Sequence, residues 1–416
     1  MMKSSRLAAF ETLYKIFYDA AYSNLALDAA LQSIDSKGKA FTTGLVYGVT
    51  ERRLTLDYLL SPYLDGRTKP KVKVLLYLGA YQLYFMDKVP SAAAINETVK
   101  LADEIGCAYY KRLINAVLHK VDANRIDIDA IEDLSVRYSC PPHLIRMWQK
   151  MYGEAAAKQI LSASVGQPPV FAVPNPLYVD ADELQYELLE EGIACEVCGP
   201  LVKLASAAGL TATKAFERGL FHVEDKSAYE CAAVLAVQPG ETVLDVCAAP
   251  GGKTFTAAAL IPNSGTVYAC DLYPQRVGLI EQGAVRLGLQ NIKTIAQDAT
   301  VFHDGLPPMD AVLCDVPCSG FGIIRRKPEI KYKDLDSIKS LPETQLQILS
   351  VSAAYLKTNG RLVYATCTLN QRENEKVVSR FLAAHPQFRL LSEKTTFPSA
   401  EGGDGFYYAL LTKTDD

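Results

Sequence analysis

Between residues 4 and 124, apolar side chains return every three or four positions. Leu7-Ala-Ala-Phe-Glu-Thr-Leu-Tyr-Lys-Ile-Phe17, Gly44-Leu-Val-Tyr-Gly-Val49 and Val72–Phe85 all carry this period, which marks amphipathic helices. Pro62, Pro70 and Pro90 punctuate them, because proline lacks the amide that a helix interior needs. A last helix near Lys111–Val121 places Leu113, Ile114, Val117 and Leu118 on one face. The period predicts an all-helical first domain over residues 1–124.

The pattern then changes twice. Residues 125–167 remain helical with more charge and read as a connector around Pro141-Pro142 and Trp148. Residues 168–233 read as a small α+β subdomain, with a strand at Pro169–Pro174, a helix at Ala181–Glu191 and further strand at Ile193–Leu204. From 234 to 416, short apolar runs alternate with helical stretches. Strands are predicted at Thr242–Val246, Thr266–Cys270, Ile292–Ala296, Met309–Cys314 and Arg361–Ala365, and a closing strand within Gly405–Thr412. Helices are predicted at Lys253–Leu260, Pro274–Leu287, Pro342–Leu356 and Gln371–Ala384. Strands buried on both faces read as continuous apolar runs, so this series predicts a parallel sheet covered by helices. The expected fold class is multidomain: all-α, then a Rossmann-like α/β domain preceded by the α+β piece.

Composition narrows this picture. A chain of 416 residues exceeds what one core holds, since single cores stop growing at about 250–300 residues. No apolar run approaches the roughly 20 residues of a membrane span, and Met1-Met-Lys-Ser-Ser-Arg6 opens no signal peptide. The 10 cysteines are scattered through apolar segments and read as reduced thiols of a cytoplasmic protein. A net charge of −4 argues against indiscriminate nucleic-acid binding. It divides into +4 over residues 1–124 and −8 over the rest, which suits local RNA contact by the helical domain. A monomer is expected, without membrane or metal partners. Cys195-Glu-Val-Cys198 has metal spacing, yet no second pair follows and strand positions three apart face opposite sides.

The strongest motif is Leu244-Asp-Val-Cys-Ala-Ala-Pro-Gly-Gly-Lys-Thr254, a strand running through a glycine turn into a helix. Gly251 and Gly252 let backbone approach a ligand closely, and the helix start favours polar or anionic groups. A Walker A loop fails, because its first glycine would fall where Cys247 stands. An adenosine cofactor fits better. Asp271 follows the second strand, 20 residues after Gly251, where such folds hold a ribose. Asp298, after the third strand, is placed for the adenine amine.

Two thiols propose a reaction. Cys318 in Asp315-Val-Pro-Cys-Ser-Gly320 and Cys367 in Tyr364-Ala-Thr-Cys-Thr368 each follow a predicted strand. Residues beyond the carboxyl ends of strands line the ligand crevice of an open α/β sheet. A thiolate adding to an electron-poor carbon, with a second thiol and an acid nearby, suits covalent catalysis. The residues alone leave the roles of the two thiols interchangeable.

These motifs, with Glu373-Asn-Glu375 and Asp225-Lys-Ser227, resemble those of the S-adenosylmethionine-dependent RNA cytosine-C5 methyltransferases over about residues 140–414. Phe41-Thr-Thr-Gly-Leu-Val-Tyr-Gly48, Ile95-Asn-Glu-Thr-Val-Lys-Leu-Ala102 and Leu113-Ile-Asn-Ala-Val-Leu118 resemble the NusB-type RNA-binding domain. Their fusion resembles the RsmB/Sun branch, which implies methylation of cytosine 967 of 16S ribosomal RNA, free or in an assembling small subunit. The resemblance implies that Cys367 attacks C6, Asp315 holds the base, and Cys318 assists proton removal and release. It implies a cofactor set of Cys247, Ala248, Ala249, Pro250, Gly251, Gly252, Lys253, Asp271, Arg276, Asp298 and Asp315. For Lys253, pairing with Asp315, contact with the cytosine and a plain surface position stay open.

Arg325-Arg-Lys-Pro-Glu-Ile-Lys-Tyr-Lys333 is the foremost RNA-binding segment expected. Its cations Arg325, Arg326, Lys327, Lys331 and Lys333 would grip phosphates and Tyr332 would stack a base. Arg52-Arg53 and Lys69–Lys73 are weaker candidates. Two other readings compete: the same chemistry on another ribosomal or transfer RNA cytosine, and a non-catalytic NusB-like RNA-binding factor.

Overall fold

The computed structural model describes residues 3–414 except 20, 263, 400 and 401. The chain forms two compact units: residues 1–166 with 324–333, and residues 167–323 with 334–416.

The first unit is helical, with α1 Ser5–Tyr18, α2 Ser23–Leu31, α3 Ser36–Glu51, α4 Arg53–Leu60, α5 Pro70–Phe85, α6 Ser91–Glu104, α7 Lys111–Ala123, α8 Leu134–Arg137 and α9 Pro142–Ala163. The Ser4 hydroxyl accepts the Leu7 N–H and the Asp35 carboxylate accepts the Gly38 N–H, satisfying amides that a helix start leaves open. Helix α5 is the axis of this unit. Val72, Val74–Leu78, Ala80 and Leu83 are all buried, so its apolar stripe is almost a full circle, as a helix enclosed by others requires. On α7 the buried face is Ile114, Val117, Leu118 and Val121, whereas Leu113 is 41% exposed. Three of the four expected positions are thus buried; the face extends to Val121, and Leu113 lies at its exposed margin.

The second unit holds two sheets. Strands β1 Val170–Pro174, β2 Cys195–Cys198, β3 Leu201–Leu204 and β4 Phe221–Val223 form an antiparallel sheet in the order β2-β3-β1-β4. The run expected as one strand over 193–204 is instead a hairpin turning at Gly199, whose φ is +63°, a conformation glycine adopts without a Cβ penalty. Helix α10, Ala181–Glu190, starts on a capping box between Asp180 and Glu183. Helix α11, Lys214–Glu217, completes this layer, and α12, Lys226–Ala233, leads on into the core of the larger sheet through Ala228 and Cys231.

The larger sheet is built from β5 Thr242–Asp245, β6 Thr266–Asp271, β7 Ile292–Ala296, β8 Met309–Asp315, β9 Leu356–Thr366, β10 Phe388–Thr396 and β11 Phe406–Lys413. Among the described residues its order is β10-β11-β9-β8-β5-β6-β7. The five strands from β9 to β7 in that order are parallel, and β11 and β10 add antiparallel pairs at one edge. Helices α13 Gly252–Leu260 and α14 Pro274–Leu287 cover one face, and α15 Leu341–Ala354 and α16 Glu375–Ala384 the other. Alternate residues of one strand feed the two cores: Val243 and Ala311 enter one, Leu244 and Val312 the other. The chain runs outward from β5 to β7, then returns to start β8 on the opposite side of β5. This reversal opens a crevice at the carboxyl ends of β5 and β8.

Candidate active site

The glycine turn leaves β5 at that crevice. Gly251 has a φ of +118° and precedes the first turn of α13. A Cβ added there would lie 2.3 Å from the Phe255 ring, and one on Gly252 would lie 2.6 Å from a Glu224 oxygen. The positive φ of Gly251 disfavours any side chain there, and one on Gly252 would have to displace Glu224, so the turn presents bare backbone. The buried Asp245 accepts a 2.7 Å hydrogen bond from Thr254, tying the strand end to the helix. Burial pushes the Asp245 carboxyl up to about 7.

Asp271 ends β6 and is 3% exposed. Its oxygens accept from the N–H groups of Ala249 and Tyr273, each at 3.3 Å, and pair with Arg276 at 3.3 Å. Arg276 also donates to the Ala249 carbonyl at 2.7 Å. Asp271, at the end of β6, and Arg276, on α14, therefore brace the turn. Asp298 is exposed past β7 and caps the Thr300 N–H and hydroxyl at 2.9 and 2.7 Å, and these bonds hold its carboxyl below the usual range. A bare turn with buried and exposed acids at successive strand ends fits an adenosine cofactor.

Asp315 closes β8, and its Oδ2 lies 2.7 Å from Lys253 Nζ, with side chains 23% and 13% exposed. Burial opposes the lysine charge, but Asp315 and Glu224 outweigh it, and the net effect raises the Lys253 amine above its ordinary value. Lys253 thus pairs with Asp315 and lies 5.2 Å above the Phe406 ring; it is no plain surface lysine.

Beyond Asp315 the two predicted thiols meet. Cys318 Sγ is 3.3 Å from Cys367 Sγ, and both cysteines are free and partly accessible. The hydrogen bond with Cys367, then burial, raises the Cys318 thiol well above its ordinary value. Cys247, Cys270 and Cys314 lie in or beside core strands, and burial raises all three thiols.

One residue that motif reasoning left without a role joins the two cysteine turns. Glu373, 1% exposed, accepts at Oε1 from the Ser319 hydroxyl at 2.5 Å and Asn370 Nδ2 at 2.7 Å. At Oε2 it accepts from the Ser319 N–H at 2.8 Å and Gln345 Nε2 at 3.0 Å. Gln345 also donates to the Pro317 carbonyl at 2.9 Å. The signal available in sequence was an acid close after the second cysteine; Gln345, on α15, had none.

The basic segment departs from expectation. It belongs to the helical unit, where Pro328–Tyr332 forms a short 3-10 helix. Lys331 is 2% exposed and donates to the Glu51 carbonyl at 2.7 Å; burial pushes its amine down to about 8. The Tyr332 hydroxyl lies 3.2 Å from Ser139 Oγ, and the Arg53 guanidinium sits over the Tyr332 ring. Arg325 is 7% exposed. A surface that would grip phosphates with Arg325 and Lys331 and stack a base on Tyr332 is therefore not what these side chains form. Ile324, Pro328 and Ile330 draw the segment inward. Arg326 and Lys333 are half-buried, and Lys327 is exposed. Arg52 and Arg53 are likewise occupied, over Phe85 and over Phe17, and Lys73 pairs with Asp57. Lys69 and Lys71 remain exposed.

Comparison with known proteins agrees with this geometry. Residues 232–412 match the model of the 16S rRNA methyltransferase RsmB/F family, and residues 3–123 match that of the NusB family. The probable ribosomal RNA small subunit methyltransferase B of Bacillus subtilis (strain 168) is 35% identical, with 99% of this chain and 100% of that protein covered. The solved structure of PH0851 aligns over 99% of both chains at a TM-score of 0.83 and 24% identity, a likeness of fold. A methyltransferase homologue from Pyrococcus horikoshii aligns over 68% of this chain and 98% of its own, with a TM-score of 0.60 and 26% identity. The chain therefore belongs to the ribosomal RNA small subunit methyltransferase B family, RsmB/F-type 16S rRNA methyltransferases carrying a NusB-family domain.

Proposed function

We propose that the protein transfers a methyl group from S-adenosylmethionine to C5 of one cytosine of 16S rRNA, cytosine 967, through a covalent adduct between Cys367 and C6. The observation that carries this reading is the 3.3 Å approach of Cys318 and Cys367 beside the Lys253–Asp315 pair, at the switch point of the sheet.

The glycine turn, Asp271 and Asp298 would hold the cofactor, which when bound supplies an electrophilic methyl group. Cys367, as thiolate, forms a bond to C6, and the C5=C6 π electrons move into the ring and make C5 nucleophilic. Asp315, fixed by Lys253, accepts from the cytosine's exocyclic amine, and a proton passed from this pair to N3 neutralises the charge that develops there. Once C5 carries the methyl group, its remaining proton passes to a water molecule that Cys318 orients. The freed C5–H electrons restore C5=C6 and expel the Cys367 thiolate.

The test is methyl transfer from labelled S-adenosylmethionine to unmodified 16S RNA and to assembling small subunits, with bisulfite mapping. Label at cytosine 967 is the expected result. Label at another cytosine overturns the target, and no incorporation into either substrate overturns the enzyme reading.

A further inference from the structure

Two catalytic thiols on separate turns must be held at fixed separation while a base is bonded to one of them. Neither turn is a regular element. The first, Val316–Phe321, follows β8, and the second, Cys367–Asn370, follows β9. Something buried must join them.

We infer that Glu373 is the positioning residue that sets Cys318 against Cys367, and that its main catalytic effect falls on release of the covalent adduct. This rests on the thiol roles proposed above. Glu373 is fixed to β9 through its own carbonyl, which accepts the Tyr364 hydroxyl at 2.6 Å. Its two carboxylate oxygens receive four hydrogen bonds, two of them from Ser319, the residue after Cys318. Gln345 extends the same network to the Pro317 carbonyl, the residue before Cys318. The Cys318 peptide is thus clamped on both sides from a single carboxylate.

The Cys367 turn is less dependent on it. Asn374 donates to the Thr368 carbonyl at 2.9 Å and accepts the Thr366 hydroxyl at 2.6 Å. The Cys367 carbonyl accepts the Gly322 N–H at 3.0 Å. Loss of the Glu373 charge therefore displaces the releasing thiol more than the attacking one.

Glu373→Gln makes this specific. An amide in place of one oxygen faces donors on whichever side it sits. Toward Ser319 N–H and Gln345 it meets two groups that only donate there, and toward Asn370 Nδ2 it meets one. At least one bond is replaced by a donor–donor contact, since a glutamine NH2 cannot accept. A buried donor left unpaired by such an exchange shifts its surroundings.

The experiment runs wild type, Glu373→Gln, Ser319→Ala, Cys318→Ala and Cys367→Ala on unmodified 16S RNA with S-adenosylmethionine. It reads turnover, denaturant-stable protein–RNA adduct, Tm and S-adenosylhomocysteine affinity. Glu373→Gln is expected to lower kcat about 10- to 100-fold, to accumulate adduct as Cys318→Ala does, and to leave S-adenosylhomocysteine affinity within about twofold. Ser319→Ala, which keeps the backbone bond and folds as a smaller cavity change, shifts the same readouts less. Adduct absent from Glu373→Gln and Ser319→Ala but present in Cys318→Ala overturns the role given to Glu373 alone. Adduct absent from Cys318→Ala overturns the thiol assignment on which it rests. Turnover and adduct lost together with a lowered Tm would mean a merely structural role, and also refutes the inference.

Discussion

Gly322 lies four residues beyond Cys318 and binds the second cysteine turn through backbone alone. Its N–H donates to the Cys367 carbonyl at 3.0 Å, and its carbonyl accepts the Gly405 N–H at 2.9 Å. A Cβ placed on it falls 1.9 Å from Gly405 O, 2.6 Å from Gly405 C and 2.9 Å from Cys367 O. These neighbours are peptide groups and cannot swing aside as the end of a flexible side chain would. Gly322→Ala must therefore push the start of β11 or the Cys367 turn away by about 1 Å. Overpacking of this kind costs about 1–3 kcal/mol. Weakening the two backbone bonds adds about 1 kcal/mol each, for a loss of about 3–5 kcal/mol. A displacement of about 1 Å at a reacting group also costs on the order of 100-fold in rate. Chemical denaturation and single-turnover methyl transfer read the two effects separately. Gly278→Ala, in α14 with nothing within 4 Å of its added Cβ, is the control and should keep full rate. A Gly322→Ala protein with wild-type stability and rate would refute the close approach on which the site geometry depends.

Two other outcomes follow from buried charges. Lys253→Met removes the 2.7 Å partner of Asp315; a charge-assisted hydrogen bond contributes about 2 kcal/mol, so kcat/KM for RNA should fall roughly 30-fold, and an unchanged value would leave Lys253 outside the chemistry. Lys331 titrates near 8 in the folded helical unit, where Cys140, Glu51 and Arg52 surround it, against 10.5 ordinarily. Between these values the unfolded chain binds a proton that the folded chain has lost, so this group adds stability as pH rises from about 8 and its full cost is present below. Lys331→Met, which never titrates, should thus compare best with wild type at pH 7 and lose ground by pH 10 in denaturation measurements; a pH-independent difference contradicts the burial of a charged amine.

The sheet and the site were legible where the chain obeys a single period. The glycine turn, Asp315, Cys318 and Cys367 each end or follow an apolar run, and the strand-to-helix alternation put them at the carboxyl ends of parallel strands. Strand β10 was not legible, because Arg389–Lys394 are exposed and an edge strand with little burial leaves no alternation to read. The basic segment misled for a related reason. Cations and a tyrosine look like RNA contacts in sequence, but Ile324, Pro328 and Ile330 carry them into a core where Lys331 meets a carbonyl. Glu373 was hidden because its partners come from three separate stretches, at Ser319, Gln345 and Asn370. Proximity of that kind exists only after folding.

The central claim is that the two thiols are unequal, with Cys367 attacking and Cys318 releasing. Mass spectrometric mapping of the nucleotide-bearing peptide from the Cys318→Ala protein, incubated with unmodified 16S RNA and S-adenosylmethionine, tests it most directly. A modified nucleotide on Cys367, with no adduct from Cys367→Ala, is the predicted result. Adduct that accumulates in Cys367→Ala and maps to Cys318 would reverse the roles and contradict the account.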